Sequence, residues 1–209
     1  WLILGGGGLF ATFPLAYSVL MPALYMPVLL MLFGLIFRGV AFEFRWRSER
    51  HKRFWDRAFM AGSMVAALTQ GIALGAFIQG VEVAERAYAG GWWDWLSPFS
   101  LLTGVSLVVG YALLGATWLV MKTEGPLAQK ARRYSRICLA ATLAGIGAVS
   151  LATLYLDARF VDAWLSSPAV VYTAVVPFAV VLCASYIWVQ LGRGDDHKPF
   201  LSAVVLFLL

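Results

Sequence analysis

The feature that most constrains the fold is a long apolar run that ends abruptly in a cluster of positive charges. Residues 25–42 are almost wholly apolar, and Arg38 is the one charged residue among them. The cations that follow are Arg45, Arg47, Arg50, Lys52, Arg53 and Arg57. A hydrophobic span of about 20 residues that runs into a cationic segment is typical of a transmembrane helix that reaches the cytoplasmic face.

The composition extends this interpretation to the whole chain. Of its 209 residues, 61% are hydrophobic and 13% are charged, whereas soluble domains are about 45–50% apolar and about 25% charged. The formal net charge of +5 is concentrated in a few short segments. Charges placed in this way set topology and face lipid headgroups. We therefore expect membrane lipids as partners and no binding to nucleic acid.

Apolar segments of nearly constant length recur along the chain. We predict membrane spans at 1–20, 23–44, 58–81, 98–121, 137–156 and 168–191, and a last one that begins near Phe200 and is cut off. The predicted fold class is all-α: a polytopic helical membrane bundle with about six complete transmembrane helices and one partial helix. We predict a single transmembrane domain over 1–209. Because the chain begins at Trp1 and stops inside an apolar run, we expect it to be a fragment.

The charges of the connecting segments alternate in sign. The segments 43–57, 122–136 and 192–198 are cationic, whereas 82–96 and 157–167 are acidic or balanced. Short cytoplasmic loops carry an excess of Lys and Arg. The sequence therefore predicts that the three cationic segments lie in the cytoplasm.

The histidines exclude one kind of chemistry from this chain. The sequence contains His51 and His197, and both fall outside the predicted spans. A haem held between membrane helices needs an axial ligand, usually His or Met, at membrane depth, and a Met in an apolar helix is usually a packing residue. We therefore predict no haem ligands and no metal site here. The sequence also lacks zinc-ligand spacing, a P-loop and a dinucleotide fingerprint.

Four polar residues in or near the spans are the candidate site residues. Arg38 either snorkels to the headgroups or faces the bundle interior and pairs with a carboxylate or a polar cofactor head. Glu43 is five residues further on and on another helical face, so it is either an interfacial acid or a proton-entry group. Gln70 and Gln79 are candidates for interhelical hydrogen bonds or for contacts with a quinone. The sequence indicates no catalytic residue.

Several stretches resemble one known family, subunit II of the cytochrome bd-type quinol oxidases, including their cyanide-insensitive relatives. The matching stretches are WLILGGGGLFATFPLAY (1–17), LIFRGVAFEFR (35–45), the pair Trp55–Asp56, GAFIQGV (75–81) and PFSLLTGVSLVVGYALLGATWLVMKTEG (98–125). The most specific of these ends in GATWLVMKTEG. Beyond residue 125 the resemblance rests on hydropathy and on the order of the spans.

The resemblance implies a fold and a division of labour between two subunits. It implies two four-helix bundles plus a peripheral helix, in a bacterial inner-membrane complex with a haem-bearing subunit I. That partner would carry the haems b and d and the site of quinol oxidation, and oxygen would be reduced to water with cytoplasmic protons. Subunit II would support the haem subunit, help proton delivery and in some members hold a structural quinone.

The resemblance also points to missing segments. The family's first helix with its acidic motif, and a Trp-Asp-Gly-Asn segment with a proton-path aspartate, would precede Trp1. Arg38 and Glu43 are then the best remaining proton-path or buried-pair candidates.

Two other functions are compatible with an apolar helical chain: a fragment of a secondary transporter and a structural membrane scaffold. A transporter should show broken helices and ionisable residues near the midplane of the bilayer. Pro14, Pro177 and four consecutive glycines at 5–8 supply some breaks, but the spans 58–81, 98–121 and 168–191 contain no formal charge. This pattern argues against ion-coupled transport and leaves the scaffold open.

The charge alternation makes a topological prediction. Single cysteines at Ser48 and Gln129, introduced after Cys138 and Cys183 are replaced by alanine, should react with an impermeant maleimide from the same side of the membrane. Both positions lie in strongly cationic segments, which the positive-inside rule places together. Labelling of the two positions from opposite sides would contradict the predicted topology.

Overall fold

The computed structural model describes residues 2–47, 50–165 and 173–209, and in these ranges the chain is almost entirely helical. The helices are α1 (Leu2–Thr12), α2 (Pro14–Ala23), α3 (Tyr25–Arg47), α4 (Lys52–Gln79), α5 (Pro98–Lys122), α6 (Gly125–Leu154), α7 (Ala158–Leu165), α8 (Val175–Arg193) and α9 (Lys198–Leu208). Between α4 and α5, β1 (Val83–Ala84) pairs antiparallel with β2 (Ala87–Tyr88). The predicted all-α class is confirmed.

Five of the described helices are long and apolar enough to cross a bilayer: α3, α4, α5, α6 and α8. A chain with several such helices is a multi-pass membrane protein, because helices satisfy their own backbone hydrogen bonds in lipid. The predicted sixth span begins at 168, and its residues 168–172 lie outside the described ranges. Pro177, which the sequence suggested as a kink, lies in the first turn of α8, where proline is tolerated.

The first predicted span differs most from the structure. It is divided into α1 and α2 at Phe13, whose φ of −132° and ψ of 65° are not helical. The cause is Pro14, which disfavours helical geometry in the residue before it and is itself suited to the first position of a helix. The last predicted span is present as α9, a short apolar helix.

The cationic segments are more helical than the sequence suggested. The prediction of a loop over 122–136 is wrong, because α6 already begins at Gly125 and only two residues connect it to α5. Lys and Arg are good helix formers, so the charges that mark the membrane edge extend the helix beyond the apolar span. Likewise, α3 continues to Arg47 and α4 begins at Lys52.

The chain divides into two compact units, Trp1–Val105 and Ser106–Leu209, with the boundary inside α5. The prediction of one transmembrane domain over 1–209 stays a prediction. In the second unit, the core contains residues such as Leu113, Leu139, Ile187 and Leu206, contributed by α5, α6, α8 and α9. The free thiols Cys138 and Cys183 pack against this core.

In the first unit, two glycines bring α3 and α4 into backbone contact. Gly34 and Gly62 are buried, and a Cβ atom added to Gly34 would lie 2.7 Å from the Gly62 carbonyl oxygen. A Cβ added to Gly62 would lie 2.5 Å from the Gly34 carbonyl oxygen and 3.2 Å from the Arg38 backbone nitrogen. Small residues at such crossings allow helices to approach closely in membranes.

A second close contact joins α4 to α5, where Gly71 and Gly75 are four residues apart, a spacing of small residues that allows helices to approach closely. The Thr103 hydroxyl donates a 2.9 Å hydrogen bond to the Gly71 carbonyl oxygen. A Cβ at Gly75 would lie 2.6 Å from the Cα of Ser100. The spacing therefore marks a real helix contact, with α5 as the partner.

We expect Gly62→Ala to destabilise the α3–α4 pair by about 1–3 kcal/mol, the usual cost of overpacking a tight core. Gly39→Ala on the same pair is the matched control, because a Cβ at Gly39 meets nothing within 4 Å. Replacing that exposed helical glycine should be neutral or stabilising by about 0.5–1 kcal/mol. Reversible unfolding in mixed detergent micelles measures both changes. Equal stability of the two variants would contradict the close crossing.

Candidate functional site

A contact cluster joins the connected ends of α3 and α4. We call it the hairpin-end cluster, and it consists of Phe44, Arg45, Trp55 and Asp56. The Arg45 Nε donates a 2.5 Å hydrogen bond to Asp56 Oδ1, and the rings of Phe44 and Trp55 have centroids 5.2 Å apart. Both side chains of the ion pair are about half exposed, so the pair contributes only about 0.2–1 kcal/mol to the stability of the fold. Its main role is to fix the register of α3 against α4.

Arg38 lies about two turns further into α3 than Arg45, on the exposed surface of the first unit. Its guanidinium carbon is 5.4 Å from the centroid of the Phe59 ring of α4, which is cation–π distance. Among the residues that the structure describes, no ion pair involves Arg38. The contact with Phe59 was not anticipated from the sequence, and the predicted choice between snorkelling and interior pairing stays a prediction.

Glu43 lies near the end of α3 with its side chain 70% exposed. One oxygen is 3.7 Å from the Arg47 Nη2, one turn further along the helix. The structure therefore brings Glu43 to Arg47 and not to Arg38, which agrees with the expectation that the five-residue spacing prevents an intrahelical pair.

The two glutamines of α4 do not share a site. Gln70 and Gln79 are nine residues apart, which corresponds to about 13 Å along a helix, and both are exposed. The Gln79 Oε1 accepts a short hydrogen bond from the Ser97 hydroxyl, just before α5. Of the two roles suggested for Gln79 by the sequence, an interhelical hydrogen bond or a contact with a quinone, this contact corresponds to the first.

Ser97 and Ser100 form a cap at the start of α5 that the sequence analysis missed. The Ser97 N–H donates to the Ser100 Oγ and the Ser100 N–H donates to the Ser97 Oγ, each at 2.9 Å. These bonds satisfy backbone donors that a helix N-terminus leaves open. The signal was present as two serines at three-residue spacing around Pro98. Through Ser97, the cap also fixes the Gln79 side chain.

In the second unit, two cations of α6 bind the carboxyl end of α8. The Arg132 Nη2 donates hydrogen bonds of 2.7 Å to the Gly194 carbonyl oxygen and 2.5 Å to Asp196 Oδ1. The Arg136 Nη2 donates a 3.1 Å bond to the Leu191 carbonyl oxygen. Cations at a helix C-terminus satisfy its last carbonyl groups and its dipole. The sequence suggested only a topological role for this cationic segment.

The connection between α8 and α9 contains one perturbed carboxyl group. The Lys198 ammonium lies 2.9 Å from Asp195 Oδ2, and this hydrogen bond holds the pKa of the Asp195 carboxyl below its ordinary value. The backbone N–H groups of His197 and Lys198 also donate to Asp195 Oδ1. Asp195 therefore stays ionised at neutral pH, and its contribution to stability is lost only as the pH falls through its lowered pKa.

The two histidines each lie directly before a helix. His51 is the residue before α4 and His197 is the residue before α9, and both are exposed. Within the described ranges, no group of three or more His, Cys, Asp or Glu side chains could hold a metal ion. Both histidines therefore lie outside the five apolar helices that are long enough to cross a bilayer.

Comparison with known proteins decides the family. The family model described as cytochrome bd terminal oxidase subunit II matches residues 1–209. The chain belongs to this family. Its helical architecture and the stretches 1–17, 35–45 and 98–125 agree with that assignment.

Curated members of the subunit II family show how much of the protein these residues represent. A probable cytochrome oxidase subunit 2 of Haemophilus influenzae is 37% identical over 155 residues, covering 68% of this chain and 40% of the relative. Cytochrome bd-I ubiquinol oxidase subunit 2 of Escherichia coli (strain K12) is 37% identical over 150 residues, with the same two coverages. Cytochrome bd ubiquinol oxidase subunit 2 of Bacillus subtilis is 27% identical over 158 residues, covering 74% of this chain and 47% of the relative. The chain spans less than half the length of each of these relatives.

In this subunit II chain, we expect Arg38→Leu to impair the assembled complex more than any change in the cationic segment that follows. If Arg38 pairs in the complex, its loss leaves a buried polar partner unmatched at a cost of about 3–5 kcal/mol. Arg38→Lys should restore only part of the function, because it lacks the planar guanidinium. The measurement is the activity named for the Escherichia coli relative, quinol-driven oxygen consumption, per complex assembled with the full-length subunit.

Arg50→Ala is the matched control, because Arg50 is exposed and lies among other cations. Its assembly and turnover should stay near wild type. Wild-type turnover in Arg38→Leu would show that Arg38 only snorkels to the headgroups.

Proposed function

We propose that this chain is part of the haem-free subunit of a bd-type quinol oxidase, which oxidises quinol and reduces oxygen to water in aerobic respiration. The family match over residues 1–209 carries the proposal. The names of the Escherichia coli and Bacillus subtilis relatives, which are ubiquinol oxidase subunits, support it. The transporter and scaffold alternatives are not favoured, since neither accounts for this match.

The proposed partner is a haem-bearing subunit I that carries the haems b and d. The support lies in the positions of the histidines: His51 and His197 precede α4 and α9 outside the apolar helices. Within the described ranges the apolar helices supply no histidine to a haem iron, which supports haem ligands on the partner. The role proposed for this chain is to support that partner within the membrane.

The second proposed role is a contribution to proton delivery through α3. Glu43 has an exposed carboxylate at the cation-rich end of the helix, where it can exchange protons with water. Arg38 lies about five residues deeper, or about 7–8 Å along the axis. A guanidinium at that depth stabilises a negative charge on a neighbouring group of the complex. Each of the two residues is proposed either as part of a proton path or as the partner of a polar group elsewhere in the complex.

A structural quinone is proposed as a further ligand of the complex. The Gln79 Oε1 already accepts a bond from Ser97, which favours the interhelical role for Gln79. Gln70 lies exposed on the surface of the first unit, so an amide contact with a quinone carbonyl is proposed for Gln70.

The proposed location is the bacterial inner membrane, with segments 43–57, 122–136 and 192–198 on the cytoplasmic side. The five apolar helices support a multi-pass arrangement. The excess of Lys and Arg in the three segments supports the orientation. Quinol would then be drawn from the bilayer and protons from the cytoplasm.

The proposal predicts where haem absorbance will be found. The full-length subunit purified without its partner should show no stoichiometric Soret band, because its apolar helices in the described ranges supply no histidine ligand. The complex with subunit I, purified in parallel, should show the band and should consume oxygen with quinol. A stoichiometric Soret band in the isolated subunit would contradict the proposal that the haems are bound by the partner subunit. A complex that contains this subunit but does not oxidise quinol would contradict the proposed function.

A further inference from the structure

The first unit contains a cavity of about 460 Å³ at the end of α4 that is distant from the hairpin-end cluster. We call it the aromatic pocket. Its walls include the side chains of Tyr25, Tyr88, Trp92 and Trp95, and the α2–α3 junction contributes Pro22 and Met26. Tyr and Trp are enriched where helices meet the membrane–water interface. An aromatic pocket beside the start of a membrane-spanning helix is typical of the headgroup region.

The loop that forms one side of the pocket is held in shape by its own hydrogen bonds. The Tyr88 hydroxyl lies 2.8 Å from the Gly91 carbonyl oxygen and 3.1 Å from Asp94 Oδ2. The Gly91 N–H donates a 2.6 Å bond to the same Asp94 oxygen, and the Trp95 Nε1 donates a 2.7 Å bond to the Trp92 carbonyl oxygen. The loop is thus already ordered without a ligand, so the conformational entropy that it loses on binding is small.

These bonds decide which ligand chemistry suits the pocket. The Tyr88 hydroxyl, the Trp95 indole N–H and the Gly91 N–H already have acceptors within the loop. A neutral ligand with carbonyl acceptors therefore finds these donors occupied. A cation, by contrast, is attracted by the negative faces of aromatic rings and needs no hydrogen-bond donor from the protein.

The charges around the pocket also favour a cationic ligand. The segment 82–96 carries Glu82, Glu85 and Asp94 against the single cation Arg86. The pKa of the Tyr88 hydroxyl is raised by burial, by its hydrogen bond with Asp94, and by the charges of Asp94 and Glu82. This environment favours positive charge and disfavours anions.

We propose that the aromatic pocket binds the ammonium headgroup of an aminophospholipid of the phosphatidylethanolamine type. The aromatic faces of the pocket wall bind the ammonium, and the Asp94 carboxylate, which lies within hydrogen-bond distance of the wall residues Tyr88 and Gly91, adds negative charge behind the wall. The acyl chains lie along α3, whose Leu30 and Phe33 are exposed below the pocket. A lipid is the favoured source of the cation, because the pocket opens beside a membrane-spanning helix. The site is separate from the proposed proton path and from Gln70.

The test uses the complex of the full-length subunit with its partner in nanodiscs of equimolar phosphatidylethanolamine and phosphatidylglycerol with identical acyl chains. Native mass spectrometry after release into detergent counts the lipids retained by each complex. Wild type should retain phosphatidylethanolamine preferentially. Trp92→Ala and Asp94→Asn should each lower this retention about fivefold, through the lost cation–π and ionic attraction.

Trp93→Ala is the matched control. Trp93 lies in the same loop and is 71% exposed, against 73% for Trp92, but it is not part of the pocket wall. Its retention of phosphatidylethanolamine should match wild type. Equal losses in the Trp92 and Trp93 variants would overturn the proposal.

A second measurement needs no variant. N-acylated phosphatidylethanolamine has the same glycerol and phosphate groups but no ammonium, and wild type should retain it at least fivefold less well than phosphatidylethanolamine. Equal retention of the two lipids would overturn the proposal. Retention of a quinone that depends on Trp92, in place of the aminophospholipid, would overturn it as well.

Discussion

The contact between Gly34 and Gly62 controls the geometry of the first unit. Because the opposing carbonyl oxygens leave no room for a Cβ atom at either glycine, α3 and α4 can neither slide nor rotate far against each other. The crossing holds Arg45 beside Asp56 at the connected ends of the helices, and it holds Arg38 beside Phe59 between those ends and the crossing. The candidate residues therefore owe their positions to two residues that carry no side chain.

Charged groups of this chain have structural roles as well as topological ones. Arg132 and Arg136 lie on α6 and donate hydrogen bonds to carbonyl oxygens at the end of α8. A cation that sits at the membrane edge can thus orient the chain during insertion and afterwards close a helix end. Arg45 likewise has both roles: it contributes to the positive charge of its segment, and it also binds Asp56.

The two ends of the first unit differ in chemistry, and the difference suits a respiratory membrane subunit. The hairpin-end cluster is rich in arginine, whereas the aromatic pocket is surrounded by carboxylates and aromatic rings. Opposite charge at the two ends of apolar helices orients a protein across a bilayer.

The sequence by itself determined the class of protein, the all-α fold and the family, because these depend on apolar runs, charge placement and contiguous motifs. It also predicted that Glu43 and Arg38 lie on different faces of α3, because residues five apart in a helix do not face each other. It did not predict the break at Phe13, where Pro14 outweighs an otherwise continuous apolar run.

Only the tertiary structure decided the partners of these residues. The contacts of Arg38 with Phe59, of Gln79 with Ser97 and of Arg132 with Gly194 join residues far apart in the chain. The glycine spacing at 71 and 75 indicated a helix contact without naming α5. Periodicity assigns a residue to a face of its own helix, whereas its neighbours depend on the crossing point of two helices. That point is set by the shapes of both surfaces together, which no single segment of the sequence contains.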